Sequence, residues 1–180
     1  MRTLVLGGIR SGKSLWAESA IAESLTASDT VSYIATGAAA VEDPEWAQRV
    51  AAHRDRRSAR WSTVETSDVA AQLRTDPITP ALVDDLGGWL TAALDRRGWE
   101  GGSVRADIDD LVTAVHEFPS PLVLVSPEVG LTVVPPTAAG RRFADELGML
   151  NQRLADGCDR VVLVVAGQPI WVKTVAEAGR

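Results

Sequence analysis

Short apolar runs alternate with longer amphipathic stretches along the chain, a pattern that predicts strands and helices in turn. The predicted strands are residues 3–6, 31–36, 61–65, 81–84, 121–126 and 160–165, with an edge strand at 170–173 after a turn at Gln168-Pro169. The predicted helices are residues 14–25, 43–57, 89–96, 108–117 and 137–155, and a surface loop covers 98–103. The pattern predicts Asp43 as the N-cap of the helix at 43–57 and Pro44 in its first position.

Several strands are apolar along their whole length, as strands are when both faces of a sheet are covered. Because helices separate them, the pattern predicts an α/β fold with a mostly parallel central sheet, flanked by helices on both faces. The 180 residues suit one domain, residues 1–180, and no linker or internal repeat divides them.

The first predicted strand runs directly into a glycine-rich segment that precedes the first helix. That segment fits the phosphate-loop pattern GxxxxGK[ST] and consists of Gly7, Gly8, Ile9, Arg10, Ser11, Gly12, Lys13 and Ser14. In such a loop the backbone N–H groups converge on phosphate oxygens, the lysine reaches the β- and γ-phosphates, and the last hydroxyl ligates Mg²⁺. The strand–loop–helix context makes a P-loop NTPase-like nucleotide site the strongest prediction from the residues.

A phosphate loop works with a carboxylate near the metal, usually at the end of a buried strand. Asp84 closes the apolar run at 81–84 and is the preferred candidate for a Mg²⁺ ligand together with Ser14. Asp85 is the neighbouring alternative, although it also suits the N-cap of the next helix.

His53 lies in a basic segment with Arg49, Arg54, Asp55, Arg56 and Arg57. Guanidinium groups bind phosphate oxygens, and a neutral imidazole can attack phosphorus to form a phosphoramidate. From the residues alone, a solvated surface histidine is the simpler interpretation, and covalent catalysis stays open.

Composition narrows the possible partners. A net charge of −6 argues against broad nucleic-acid binding. One cysteine, Cys158, excludes an intrachain disulfide and is interpreted as a small buried hydrophobe. No apolar stretch approaches the length of a membrane span, so we expect a soluble cytoplasmic protein.

Further motifs follow in a characteristic order. They are Ala17-Glu18, the Tyr33-Ile-Ala-Thr36 strand, Arg49-x-x-x-His53, Trp61 to Glu65, Asp84, Glu128-Val-Gly130, Val134-Pro135, Arg142-Phe143-x-Asp145, Gly148, Asn151-Gln152 and a closing Ala-Gly167. In order and spacing the chain resembles the bifunctional adenosylcobinamide kinase/adenosylcobinamide-phosphate guanylyltransferase family of cobalamin biosynthesis.

The resemblance implies two reactions: phosphorylation of adenosylcobinamide by ATP or GTP, then transfer of GMP from GTP through a guanylylated histidine to give adenosylcobinamide-GDP. It makes His53 the residue that accepts GMP and Lys13 a catalytic phosphate ligand. It also implies nucleotide contacts at Thr36, Arg54 to Arg57, Glu65 and Asp84, and a homotrimer.

The chain departs from the family pattern at Pro127, Gly87, Gly88 and Ala92. These departures concern the cobinamide-binding surface and full bifunctionality more than the phosphate loop. The alternatives are therefore a P-loop small-molecule kinase with a structural His53, and a nucleotide-binding regulatory protein. No Asn-Lys-x-Asp motif supports a signalling GTPase.

Overall fold

The computed structural model describes residues 1–26, 29–37 and 60–174. Its strands are β1 (Arg2–Gly7), β2 (Val31–Ala35), β3 (Trp61–Glu65), β4 (Ala81–Asp84), β5 (Leu122–Pro127), β6 (Arg160–Val165) and β7 (Gln168–Lys173). Its helices are α1 (Lys13–Glu23), α2 (Val69–Thr75), α3 (Leu86–Arg97), α4 (Arg105–Glu117) and α5 (Ala138–Gly157).

The strands form one sheet in the order β3-β2-β4-β5-β1-β6-β7. All neighbouring pairs are parallel except β6 and β7, which are antiparallel. The first strand in the chain is therefore inside the sheet, between β5 and β6. The predicted mostly parallel sheet is confirmed.

Two hydrophobic cores lie on opposite faces of the sheet. Adjacent residues of β1 enter different cores, because side chains alternate along a strand: Leu4 packs with α2 to α5, and Val5 packs with α1. Trp16 of α1 also meets Trp171 of β7 edge to face, with ring centroids 5.7 Å apart. The prediction of helices on both faces is confirmed.

The structure corrects several element boundaries. Helix α2 was not predicted; it is short, and Asp68 caps it by accepting a hydrogen bond from the Ala71 N–H at 3.1 Å. Helix α3 begins at Leu86 and α4 at Arg105, each three residues earlier than predicted. The predicted turn at Gln168-Pro169 is wrong. The chain turns at Ala166 and Gly167, which have positive φ angles, and Gln168 already belongs to β7.

The predicted helix at 43–57 lies outside the described residues. Among the described helices, none has the length and apolar character needed to cross a membrane. Cys158 is buried just after α5, as expected, and burial raises the pKa of its thiol to about 12.

Candidate nucleotide-binding site

The phosphate-loop sequence forms the turn between β1 and α1. Gly7 is the last residue of β1 and Lys13 the first of α1. Between them the Ser11 N–H donates to the Gly8 carbonyl at 3.3 Å, and the Lys13 ammonium reaches the same carbonyl at 3.4 Å. Gly12 stands at the N-cap and supplies no side chain to the first helical amides, so an anion can approach them.

The loop is supported by the turn between β6 and β7. The Gly167 N–H donates to the Ser11 carbonyl at 2.7 Å. Gly12 has φ of 93°, and a Cβ atom there would lie 3.1 Å from Gly167 Cα. Gly12 is therefore required both by its backbone conformation and by this close approach.

Asp84 ends β4 and faces the α1 side of the sheet. Leu82, two residues earlier, belongs to the α1-side core, and side chains on a strand repeat every two residues. The Tyr33 hydroxyl, from the neighbouring strand β2, donates to Asp84 Oδ2 at 2.7 Å. This bond fixes the orientation of the Asp84 carboxylate towards the face that carries Lys13 and Ser14.

Asp85 has a different position. It is the N-cap of α3, and its Oδ1 accepts the Gly88 N–H at 2.8 Å. Burial raises the pKa of the Asp85 carboxyl above its ordinary value; Asp84 raises it further, while Lys13 and backbone amides oppose the shift. Asp85 therefore caps helix α3, and Asp84 is the candidate Mg²⁺ ligand.

Strand β5 lies between the strand that carries the phosphate loop and the strand that ends in Asp84. Neighbouring strands are about 4.8 Å apart, so the ends of β1 and β4 are separated by about 10 Å. The Glu128 N–H, directly after β5, donates to the Gly7 carbonyl at 3.1 Å. The segment that follows β5 therefore starts above the gap between the phosphate loop and Asp84.

The donors around this gap suit Mg²⁺. Ser14 in the first turn of α1 and Asp84 offer hard oxygen atoms, and Mg²⁺ commonly takes one or two carboxylates, waters and substrate phosphates. No group of three or more His, Cys, Asp or Glu side chains suited to a metal occurs in the described parts of the chain. The chemistry fits a metal shared with a nucleotide better than one enclosed by protein.

The other predicted site residues lie in different places. Thr36 is buried beside the gap, where its hydroxyl donates to the Asp85 carbonyl and its N–H donates to the Asp84 carbonyl at 3.2 Å. Glu65 ends β3, with three strands between it and β1. His53, Arg54, Asp55, Arg56 and Arg57 lie outside the described residues.

Two polar residues near the gap were not predicted to have a role. Tyr33 is the chain's one tyrosine, and the sequence indicated it as part of a strand and of a family motif, without a role in the site. Asn151 of α5 is buried; its Oδ1 accepts the Ser126 hydroxyl at 2.6 Å and its Nδ2 donates to the Pro127 carbonyl at 3.1 Å. The sequence did contain a signal for Asn151, because it is a polar residue at an inward-facing position of a predicted helix.

A family model described as "Cobinamide kinase / cobinamide phosphate guanyltransferase" (CobU) matches residues 3–172. The chain belongs to this family. It is 44% identical over 179 residues to the bifunctional adenosylcobalamin biosynthesis protein CobP of Pseudomonas aeruginosa, covering 96% of this chain and 98% of that protein. It is 37% identical over 188 residues to CobU of Salmonella typhimurium, covering 96% and 100%.

Structural comparison agrees on the fold. A KaiC-like protein of Pyrococcus horikoshii superposes with a TM-score of 0.50 over 90% of this chain and 69% of that one, at 13% identity. At this identity the likeness concerns the fold alone.

Two of the departures from the CobU-family pattern lie against each other. A Cβ atom on Gly87 would be 2.9 Å from Pro127 Cγ. The proline ring therefore occupies the space that a larger residue at position 87 would need.

Proposed function

We propose that this protein is a bifunctional enzyme of cobalamin biosynthesis, a cobinamide kinase and cobinamide-phosphate guanyltransferase. One observation carries the proposal: a complete phosphate loop faces Asp84 across a single strand, in a chain that the family model matches over residues 3–172. The class is a transferase that uses a nucleoside triphosphate.

In the kinase reaction, the hydroxyl of the aminopropanol arm of adenosylcobinamide attacks the γ-phosphorus of ATP or GTP and the nucleoside diphosphate leaves. The loop amides and Lys13 bind the phosphates and stabilise the charge that develops on them. Ser14 and Asp84 hold Mg²⁺, which neutralises phosphate charge when bound. The α1 N-terminus adds its partial positive charge at the same point.

In the transferase reaction, a ring nitrogen of His53 attacks the α-phosphorus of GTP and pyrophosphate leaves. A phosphate oxygen of adenosylcobinamide phosphate then attacks the guanylyl phosphorus, which yields adenosylcobinamide-GDP and restores the histidine. The guanidinium groups of Arg54, Arg56 and Arg57 bind the phosphate oxygens. This part of the proposal rests on family membership and on the sequence around His53.

Four finer points belong to the same proposal. The nucleotide contacts include Thr36, Asp55 and Glu65, as the resemblance implies. The protein acts in the cytoplasm and assembles as a homotrimer. No nucleic acid takes part.

The deciding experiment uses Mg²⁺ and GTP labelled at the α- or the γ-phosphate. Acid-labile, base-stable label from the α position is expected on the wild-type protein and is lost in His53→Ala. His116→Ala is the matched control, because the chain has two histidines and His116 lies at the C-terminal end of α4. Lys13→Ala should weaken phosphate binding in every version of the proposal.

Two outcomes contradict the full proposal. A protein that never retains α-label but phosphorylates cobinamide is a kinase alone. A protein that binds GTP, but neither retains α-label nor phosphorylates cobinamide, is a nucleotide-binding regulatory protein.

A further inference from the structure

The segment after β5 exposes an unusual run of apolar side chains. Leu131 is 76% exposed, Val133 is 91% exposed and Val134 is 72% exposed. We name residues 131–134 the apolar loop. Isolated exposed apolar residues are ordinary, but a run of them on a folded protein marks a binding surface.

The apolar loop is held at both ends. Its approach is fixed at Glu128, whose N–H donates to the Gly7 carbonyl and whose Oε1 accepts the Gly130 N–H at 2.6 Å. Beyond it, Arg141 donates to the carbonyls of Pro135 and Pro136 at 3.2 and 2.8 Å. The apolar side chains therefore project from an anchored segment.

The position of the loop suggests its ligand. It follows β5, whose end lies between the phosphate loop and Asp84, where the γ-phosphoryl group would be transferred. The acceptor hydroxyl is on a short arm of cobinamide, so the corrin ring must lie close to that point when the hydroxyl reacts. Ile9, at the tip of the phosphate loop and 93% exposed, adds apolar surface on the same edge of the sheet.

We propose that the apolar loop, with Ile9, binds the corrin ring of the cobinamide substrate. The ring carries many methyl groups at its periphery beside its amide side chains, and exposed leucine and valine side chains can cover these apolar parts. This inference rests on the proposed function, because it takes cobinamide as the substrate. It adds the surface that selects cobinamide, and this surface adjoins the phosphate loop at Ile9.

The test compares Leu131→Asp and Val133→Asp with Ile78→Asp. Ile78 is an apolar residue that is 81% exposed, and it precedes β4, so it lies at the opposite edge of the sheet from the phosphate loop. Cobinamide binding is measured by equilibrium dialysis of dicyanocobinamide with Mg²⁺ and a non-hydrolysable GTP analogue. GTP affinity is measured separately, and thermal melting checks that each variant is folded.

Both loop variants are expected to weaken cobinamide binding about tenfold, the effect of losing the burial of one such side chain. GTP affinity should stay unchanged, Val133→Leu should bind cobinamide as wild type does, and Ile78→Asp should change neither affinity. Unchanged cobinamide binding in both loop variants overturns the inference. So does a loop variant that only alters the oligomeric state, because the loop is then a contact between copies of the chain.

The outcomes separate this inference from the proposed function. A wild-type protein that binds cobinamide through the loop without phosphorylating it supports the surface and contradicts the kinase. A wild-type protein that binds no cobinamide overturns both.

Discussion

Gly87→Ala tests the packing between the start of α3 and the end of β5. The new methyl group would lie 2.9 Å from Pro127 Cγ and 3.3 Å from Pro127 Cδ. A proline ring cannot rotate away, so the crowding should cost about 1–3 kcal/mol. Replacing a helical glycine with alanine gains up to about 1 kcal/mol, and the net result should be a loss of about 0–3 kcal/mol.

Two further variants isolate the clash. Gly148→Ala is the matched control, because Gly148 lies inside α5 and a Cβ atom there would meet nothing within 4 Å. It should stabilise the protein by about 1 kcal/mol. In a Pro127→Ala background the ring is gone, so Gly87→Ala should become neutral or stabilising. The contact of 3.2 Å with Asp85 Oδ1 is common to both backgrounds and cancels in the comparison.

Urea unfolding, followed by circular dichroism, measures the four free energies of unfolding in this cycle. We expect a coupling energy of about 1–3 kcal/mol between positions 87 and 127. If Gly87→Ala stabilises the protein as much as Gly148→Ala while Pro127 is present, the steric argument is refuted.

Three other changes can be predicted. Burial raises the pKa of the Asp85 carboxyl in the folded protein, so ionisation of Asp85 costs no stability below the unfolded pKa near 3.8 and costs progressively more as the pH rises through the folded pKa. Asp85→Asn keeps a helix cap and should gain stability relative to wild type as the pH rises. A pH series of thermal melts that shows the reverse trend would contradict this prediction. Tyr33→Phe should weaken Mg²⁺-dependent GTP binding about tenfold and leave Mg²⁺-free binding unchanged, because it removes the bond to Asp84. Labelling tyrosine with ¹³C at Cζ gives a single resonance, since the chain has one tyrosine, and this resonance should move when Mg²⁺ and GTP are added. The pKa of about 12 keeps the Cys158 thiol protonated. Iodoacetamide at pH 8 should therefore leave the native protein unmodified and should alkylate the protein in urea, as followed by mass spectrometry. Rapid alkylation of the native protein would contradict this and show that the thiol is accessible.

The strands and the phosphate loop could be predicted because their signals are local. A continuous apolar run identifies β1 or β5 without knowledge of its neighbours, and the spacing of Gly7, Gly12 and Lys13 is a feature of eight consecutive residues. The separate roles of Asp84 and Asp85 were harder to predict. Asp84 and Asp85 are adjacent acidic residues, and only the direction of each side chain assigns one to the α1 face and the other to the N-terminus of α3.

Contacts between distant segments could not be predicted. Nothing in the sequence around Gly87 indicates that Pro127 lies against it. The predicted helix at 89–96 also left out Gly87 and Gly88, which lie in the first turn of α3. Likewise, Val134 is the one residue of the apolar loop that belongs to a motif in the sequence, and the exposure of the loop is visible only in the structure.

The position of β1 has a consequence for the order in which the protein is made. Strand β1 is translated before its partners β5 and β6, and before Gly167, which supports the loop that follows β1. Strand β1 therefore cannot pair within the sheet until residues 122–165 have been translated. Nucleotide binding by the phosphate loop can begin only after Gly167 has left the ribosome, so ligand binding would mark a late step of folding during translation.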